Sequence, residues 1–260
     1  MWQSTRTEYH VVYSRPGPRM TGIDLQSDGQ GNSIEHPDDA ILDNVKITFV
    51  GNGNTVRMGR SCLSNVVIEI HGDDNVIEFD EDCCVTNAII KAWVDRAGRN
   101  AVKLTRTRIG RGVQYSQGQI ILGGDCVSVE IGEGTNIIEA KLFAVERHSR
   151  IEIGPWCLFS WNIEIRTSDW HPIFDIESGR RINMPAPVRL AEKVWVGSDV
   201  RILKGVTIGE GSVIGVGSIV TRDIPASCVA VGNPARVVRT GISWSVDALS
   251  HLDQEPVIAP

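Results

Sequence analysis

The sequence predicts an all-β protein wound as a parallel β-helix, and three observations predict it. Leu190, Val196, Ile202, Ile208, Ile214 and Val220 stand six residues apart without a slip. That period fits neither an amphipathic helix of 3.6 residues per turn nor an alternating strand. It fits a coil that turns one corner every six residues and points one aliphatic side chain inward at each. A second register, Val194, Val200, Val206, Ser212 and Ser218, runs beside the first. Between the two fall Gly197, Gly205, Gly209, Gly211, Gly215 and Gly217. Glycine permits positive φ at a tight corner because it has no Cβ to clash.

The elements follow in chain order. Residues 1–44 are rich in Pro, Gly, Asp and Ser and read as an irregular arm with a short strand at 9–13. Imperfect repeats begin at 45. Ile47-Thr48-Phe49-Val50-Gly51 is echoed by Ile68-Glu69-Ile70-His71-Gly72 at an offset of 21, read as a coil of 18 plus a small insertion. Val129-Glu130-Ile131-Gly132 is echoed by Ile151-Glu152-Ile153-Gly154 at an offset of 22. Shorter inward runs join them: Ile109, Tyr115, Ile121, Val127; then Ile131, Ile137, Phe143; then Ile153, Phe159, Ile165. Each buried aliphatic chain contributes roughly 1.5–3 kcal/mol. No single coil offsets its own ordering entropy, so the coils must stack.

Two segments break the pattern. Residues 91–111 hold Lys91, Arg96, Arg99, Lys103, Arg106, Arg108 and Arg111 against the single acid Asp95. They read as a solvated insertion or as a patch for an anionic acceptor. Residues 167–187 contain Pro172, Gly179, Pro185 and Pro187, cannot continue the coil, and should project as a loop. Long loops on a rigid scaffold carry function. The helix domain ends near 240. Residues 241–260 form a tail with a short helix expected near 245–252.

Composition narrows the function classes. Of the 260 residues 42% are hydrophobic and 22% charged, enough for one elongated domain. The net charge of −6 argues against general nucleic-acid binding, which needs a basic face. No apolar run of about 18 residues suggests a membrane span. The polar N-terminus lacks the apolar stretch of a secretory signal. Cys62, Cys83, Cys84, Cys126, Cys157 and Cys228 show no CxxC pairing and read as reduced thiols of a cytoplasmic protein, several in the core. No Cys/His cluster has ligand spacing, so no metal is expected.

Val194-Trp195-Val196-Gly197, Gly205-Val206-Thr207-Ile208-Gly209, Thr221-Arg222-Asp223-Ile224-Pro225 and Gly232-Asn233-Pro234-Ala235-Arg236 together resemble the hexapeptide-repeat acyltransferases. The likeness is greatest to maltose, galactoside and capsular-polysaccharide O-acetyltransferases. It is strong over 129–240 and loose over 45–128. It implies a left-handed parallel β-helix, an exception to the right-handed crossover rule. It also implies a homotrimer with active sites shared between neighbours, acetyl-CoA as donor and a sugar or polysaccharide acceptor.

His171, in Ser168-Asp169-Trp170-His171-Pro172, stands 24 residues before Trp195, as in that family. A hydroxyl is a poor nucleophile until a positioned base takes its proton, and imidazole changes charge near neutral pH. Attack on the thioester gives an oxyanion that needs an N–H donor. The resemblance places that donor at the backbone of Ser198 and puts Trp195 on the acceptor or thioester site. If the segment is extended, Asp169 and His171 share a face, and Asp169 could hold the imidazole tautomer. Glu164 and Asp175 are rivals for that role. Thr221, Arg222, Arg236 and Arg239 match positions that contact CoA, with Lys204 a weaker candidate; guanidinium suits phosphate. Trp161 and Trp170 flank the loop and could stack on a sugar, though relatives are expected to carry a smaller residue at 170. No Ser or Cys nucleophile motif appears, which favours direct transfer. The expected activity is O-acetylation of a sugar hydroxyl. N-acylation of an amino sugar, antibiotic modification and a non-catalytic scaffold are the alternatives.

Overall fold

The computed structural model describes residues 22–93 and 102–246. Every regular element among them is a strand, 25 in all. Strands pair in parallel with the strand one coil on. Only the closing pair, Cys228–Val231 with Arg236–Thr240, is antiparallel. The chain is thus a β-helix of three stacked faces. The first face carries Gln114–Tyr115, Asn136–Ile137, Leu158–Phe159, Trp195–Val196, Val213–Ile214 and Cys228–Val231. The second carries Gly118–Gly123, Ala140–Val145, Ile163–Arg166, Arg201–Ile202 and Ile219–Val220. The third runs from Ser33–Glu35 to Thr207–Ile208. In the N-terminal coils the first two faces are one bent strand, as in Ile41–Val50, Cys62–Asp73 and Cys84–Ala92.

The hexad register is the core. Leu190 is 3% exposed, and Val196, Ile202, Ile208, Ile214 and Val220 are fully buried. The second register is buried beside it, Ser212 and Ser218 included. Those two hydroxyls complete the corners. Ser212 Oγ donates to the Pro225 carbonyl at 2.6 Å and accepts from the Cys228 N–H at 3.2 Å. Ser218 Oγ donates to the Gly215 carbonyl at 2.6 Å and accepts from the Gly232 N–H at 3.0 Å. Satisfied in this way, a buried hydroxyl costs little. The glycines serve two purposes. Gly211 has φ 66° and needs its freedom at the corner. Gly209 lacks positive φ, but a Cβ there would lie 2.4 Å from the Ala226 nitrogen of the next coil.

Several expectations change. Among the described residues the β-helix starts with Ile23–Asp28, which pairs with Ile41–Val50, so residues 23–44 belong to the coils rather than to an irregular arm. The offset of 21 or 22 is the regular length of the N-terminal coil, not 18 plus an insertion: Ser33 pairs with Thr55, Thr55 with Val76, and Arg106 with Ser128. Ile121 and Phe143 face outward, while Ile120 and Leu142 are buried in their place. The corner before the second face is one residue shorter in these coils, since Ile120 and Leu142 take the register position that Ile165 and Ile202 hold in later coils, and this shifts the register by one. The expected strand at 9–13, Arg96 and Arg99, and most of the helix near 245–252 lie outside the described residues.

Most of the basic segment lies on the coil, and its charges face acids of the preceding coil. Lys91 pairs with Glu69 at 2.7 Å, Lys103 with Asp73 at 3.2 Å, Arg106 with Glu78 at 3.9 Å and Arg108 with Asp80 at 2.9 Å. These four cations form cross-coil pairs, not a patch awaiting an anion. Cys83, Cys157 and Cys228 are buried, Cys126 is exposed, and all six thiols are free. No helix among the described residues is long and apolar enough to cross a membrane.

Candidate active site

The loop leaves the edge between the second and third faces after Ile163–Arg166 and rejoins the coil at Val188–Leu190. It folds back on itself through an antiparallel bridge between Phe174 and Arg181. The Asp175 carboxylate makes its turn, accepting from the Ser178 N–H at 2.7 Å and the Ser178 hydroxyl at 2.6 Å. Asp175 is therefore a turn residue and not a partner for His171.

Side chains absent from the sequence reading fasten the loop to the coil. Arg181 grips Glu146 with two hydrogen bonds, of 2.6 and 2.7 Å. The Ser168 hydroxyl also donates to Glu146. The Arg181 guanidinium, and then Ser168, hold the Glu146 carboxyl below its ordinary range. Asn183, only 7% exposed, ties the two arms of the loop together. Its amide nitrogen donates to the His171 carbonyl at 2.8 Å and to Asp169 Oδ2 at 2.9 Å, and its oxygen accepts from the Ile173 N–H at 2.7 Å. Arg181 and Asn183 lie in the flagged loop, so their position was a signal. Glu146 sits at a coil corner 35 residues before Arg181, and no local pattern marks it.

His171 is exposed at the base of this loop. Its N–H donates to the Asp169 carbonyl at 2.8 Å, across Trp170 at φ 66°. This is a strained γ-turn. For a bulky residue the left-handed region costs roughly 1–2 kcal/mol. The segment is turned, not extended, so the argument that Asp169 and His171 share a face fails. The Asp169 carboxylate goes instead to Lys204 and Asn183. The Lys204 ammonium is the main reason its carboxyl stays below the usual carboxylate range. Lys204, expected near CoA, is here the partner of Asp169. Glu164, the other rival, pairs with Arg166 and, at 3.8 Å, with Arg201.

The remaining predicted residues fall into two groups. Lys204, Thr221 and Arg222 follow strands of the second face and line the same edge as the loop. The Pro187 carbonyl accepts from the Gly205 N–H at 3.1 Å and Asp223 accepts from the Thr207 N–H at 2.7 Å, which stacks these turns in order. Trp195 and Ser198 lie elsewhere, on the first face and its far corner. Trp195 is 38% exposed, and Trp244 packs on it with ring centroids 5.9 Å apart. Trp244 Nε1 donates to the Lys193 carbonyl at 2.9 Å, so the segment after the last strand covers this tryptophan. Arg236 and Arg239 are exposed on the closing strand of the first face. One protomer therefore does not bring His171 and Trp195 together.

Comparison with known proteins agrees with this architecture. The bacterial transferase hexapeptide family (six repeats) matches residues 187–222. The polysialic acid O-acetyltransferase of Escherichia coli O1:K1 / APEC is 36% identical over 115 residues, 44% of this chain and 35% of that protein. The chain thus spans only about a third of that relative's length. The crystal structure of the polySia specific acetyltransferase NeuO superposes with a TM-score of 0.62 at 29% identity, covering 86% of this chain and 89% of that one. The polysialic acid O-acetyltransferase OatWY shares the fold at a TM-score of 0.63 and 22% identity, over 86% of this chain and 92% of that one. With its hexads forming the core and its loop at the edge of the second face, the chain shares the fold of these acetyltransferases and carries the hexapeptide-repeat match within its C-terminal coils.

Proposed function

We propose that the chain is an acetyl-CoA-dependent O-acetyltransferase acting in the cytoplasm on a sugar hydroxyl of a surface polysaccharide or its precursor. One observation carries the proposal: an exposed histidine on a loop clamped by Glu146, Arg181 and Asn183, at the edge shared with Thr221 and Arg222. The relatives named above are O-acetyltransferases of a sugar polymer, which supports the same chemistry.

In this reading the His171 imidazole takes the proton of the acceptor hydroxyl as its oxygen attacks the thioester carbonyl. The Ser198 N–H stabilises the oxyanion. The intermediate collapses, the carbon–sulfur bond breaks, and the imidazolium returns the proton to the departing CoA thiolate. Thr221, Arg222, Arg236 and Arg239 would hold the donor's phosphates. The separation of His171 from Trp195 and Ser198 supports a trimer in which one protomer supplies the base and its neighbour the wall of the donor slot.

The test is purified protein with acetyl-CoA and a sugar panel, with released thiol and the acetyl ester both measured. His171→Ala should lower kcat by about 100-fold or more with the fold intact. Full activity in that variant overturns the assignment. A melting temperature that does not respond to CoA would favour a scaffold.

A further inference from the structure

We propose that Trp170 is the acceptor platform: its indole stacks on the apolar face of a pyranose ring and sets which hydroxyl reaches His171. The proposal rests on the acetyl-transfer reading above. Its observations concern Trp170 alone.

The first is conformational. Trp170 is the central residue of the γ-turn that ends at His171, with φ 66°. Glycine would take this position without strain, whereas a tryptophan there is held against its own backbone preference. The second is the fixed ring. The Trp170 backbone N–H donates to Ser168 Oγ at 3.0 Å, which pins the turn, and the indole meets Phe143 nearly edge-on, with centroids 6.1 Å apart and planes at 70°. The third is exposure. The ring is 52% exposed even with Phe143 against it, so packing within this chain does not account for its size.

The surroundings suit a sugar. The C–H face of a pyranose meets the negative face of an aromatic ring. Arg166 is the register neighbour of Phe143 on the same outward row, and Asp169 with Lys204 lies one residue along from Trp170. These charged groups could bind the hydroxyls at the ring's rim. Trp170 directly precedes His171, and in this proposal the stacked sugar lies within reach of the base. A pyranose with an unhindered C–H face is therefore the expected acceptor unit.

The test compares wild type with Trp170→Gly, which removes the ring and relieves the turn, and Trp170→Phe, which keeps a smaller ring. Saturation-transfer NMR without acetyl-CoA would use methyl glycosides of glucose, galactose, N-acetylglucosamine and sialic acid. Wild type should saturate the ring C–H protons of at least one probe, Trp170→Gly should lose the signal and Trp170→Phe should keep part of it. In turnover, Trp170→Gly should raise the acceptor KM about tenfold, which corresponds to about 1.4 kcal/mol. The acetyl-CoA KM and the melting temperature should not worsen. Equal sugar binding by Trp170→Gly, or no probe bound by wild type, overturns the platform. So does an altered assembly mass or lowered melting temperature with the acceptor KM unchanged, which would make the ring a packing residue. Full transfer by His171→Ala beside lost sugar binding in Trp170→Gly would remove the base and leave the platform standing. An unchanged acceptor KM in Trp170→Gly beside an inactive His171→Ala would do the reverse.

Discussion

The coils up to Ser128–Ile131 and those from Val188 to Ile224 enclose the same kind of core by different means. In the N-terminal region a coil takes 21 or 22 residues, or 30 where Val76 pairs with Arg106, and its strands reach 10 to 12 residues. Its corners are built by side chains. Asn44, Asn65 and Asn87 bend the long strands at positive φ and stack in a ladder, with Asn44 donating to Asn65 at 2.8 Å and Asn65 to Asn87 at 3.2 Å. Inside the core, Asn54 and Asn75 run a second ladder that ends on Thr105. Outside, Glu35, Arg57, Glu78 and Arg108 alternate in sign from coil to coil. From Arg189 the coil shortens to the 18 residues that separate it from Thr207. Strands there have two or three residues, and corners are made by small residues and close backbone approach. In the long coils asparagine side chains span the corners from one coil to the next, whereas the short hexads close theirs with glycine and small residues, Ser212 and Ser218 among them. The N-terminal coils thus depend on hydrogen bonds within the core, and the C-terminal coils on aliphatic burial.

Substitutions in each region should separate these two dependences. The largest loss of stability is expected for Asn75→Ala. Asn75 is fully buried, donates to Asn54 at 2.9 Å and to the Val102 carbonyl at 3.1 Å, and accepts from Thr105. Leaving these groups unpaired should cost about 4 kcal/mol. Urea unfolding should then show an early transition confined to the N-terminal coils, because repeats depend chiefly on their neighbours. Ile208→Ala, in the other region, should cost about 3 kcal/mol, and Ile208→Val only about 1 kcal/mol. An Asn75→Ala loss no greater than that of Ile208→Val would erase the contrast.

Smaller effects belong to the loop. Asn183→Ala should lower kcat about tenfold while leaving the acetyl-CoA KM unchanged, since the lost amide holds the backbone of His171 by a bond whose removal costs about 1–3 kcal/mol. Steady-state kinetics with each substrate varied would decide it. The Glu146 clamp should depend on pH. Its carboxyl titrates below its ordinary 4.5 in the folded state, so its contribution is present above that value and is lost as pH falls through the lower, folded one. Pepsin cleavage of residues 173–184 should therefore rise as the medium is acidified below pH 4.5. In Arg181→Ala, a neutral protease should already cut there. The smallest change is expected for Arg57→Ala. Its guanidinium lies 3.1 Å from Glu35 and 3.3 Å from Glu78 but is half exposed, and salt should weaken what it contributes.

Legibility in the sequence followed the same division. The hexads from Leu190 to Val220 could be read directly because each repeats one geometry, and both registers are buried as they stand. Ile121 and Phe143 were assigned inward because a six-residue count carried across a 22-residue coil slips by one at the corner. The loop at 167–187 was visible from its prolines and glycine, and so was His171 within it. The partners of that histidine's segment were not. Lys204 reaches Asp169 from one coil later, and Glu146 reaches Arg181 from one coil earlier.

By itself, the sequence determined the period, the inward side chains, the break in the coil and the residue types that chemistry would need. Those follow from local spacing, since a hexad encodes its own corner. The tertiary structure alone decided where the coils begin, that the Asp169–His171 segment turns rather than extends, and that the acid there meets a lysine. It alone also placed His171 and Trp195 on different faces. Such pairings join residues a whole coil apart, and their registers are set by stacking, which no local pattern records.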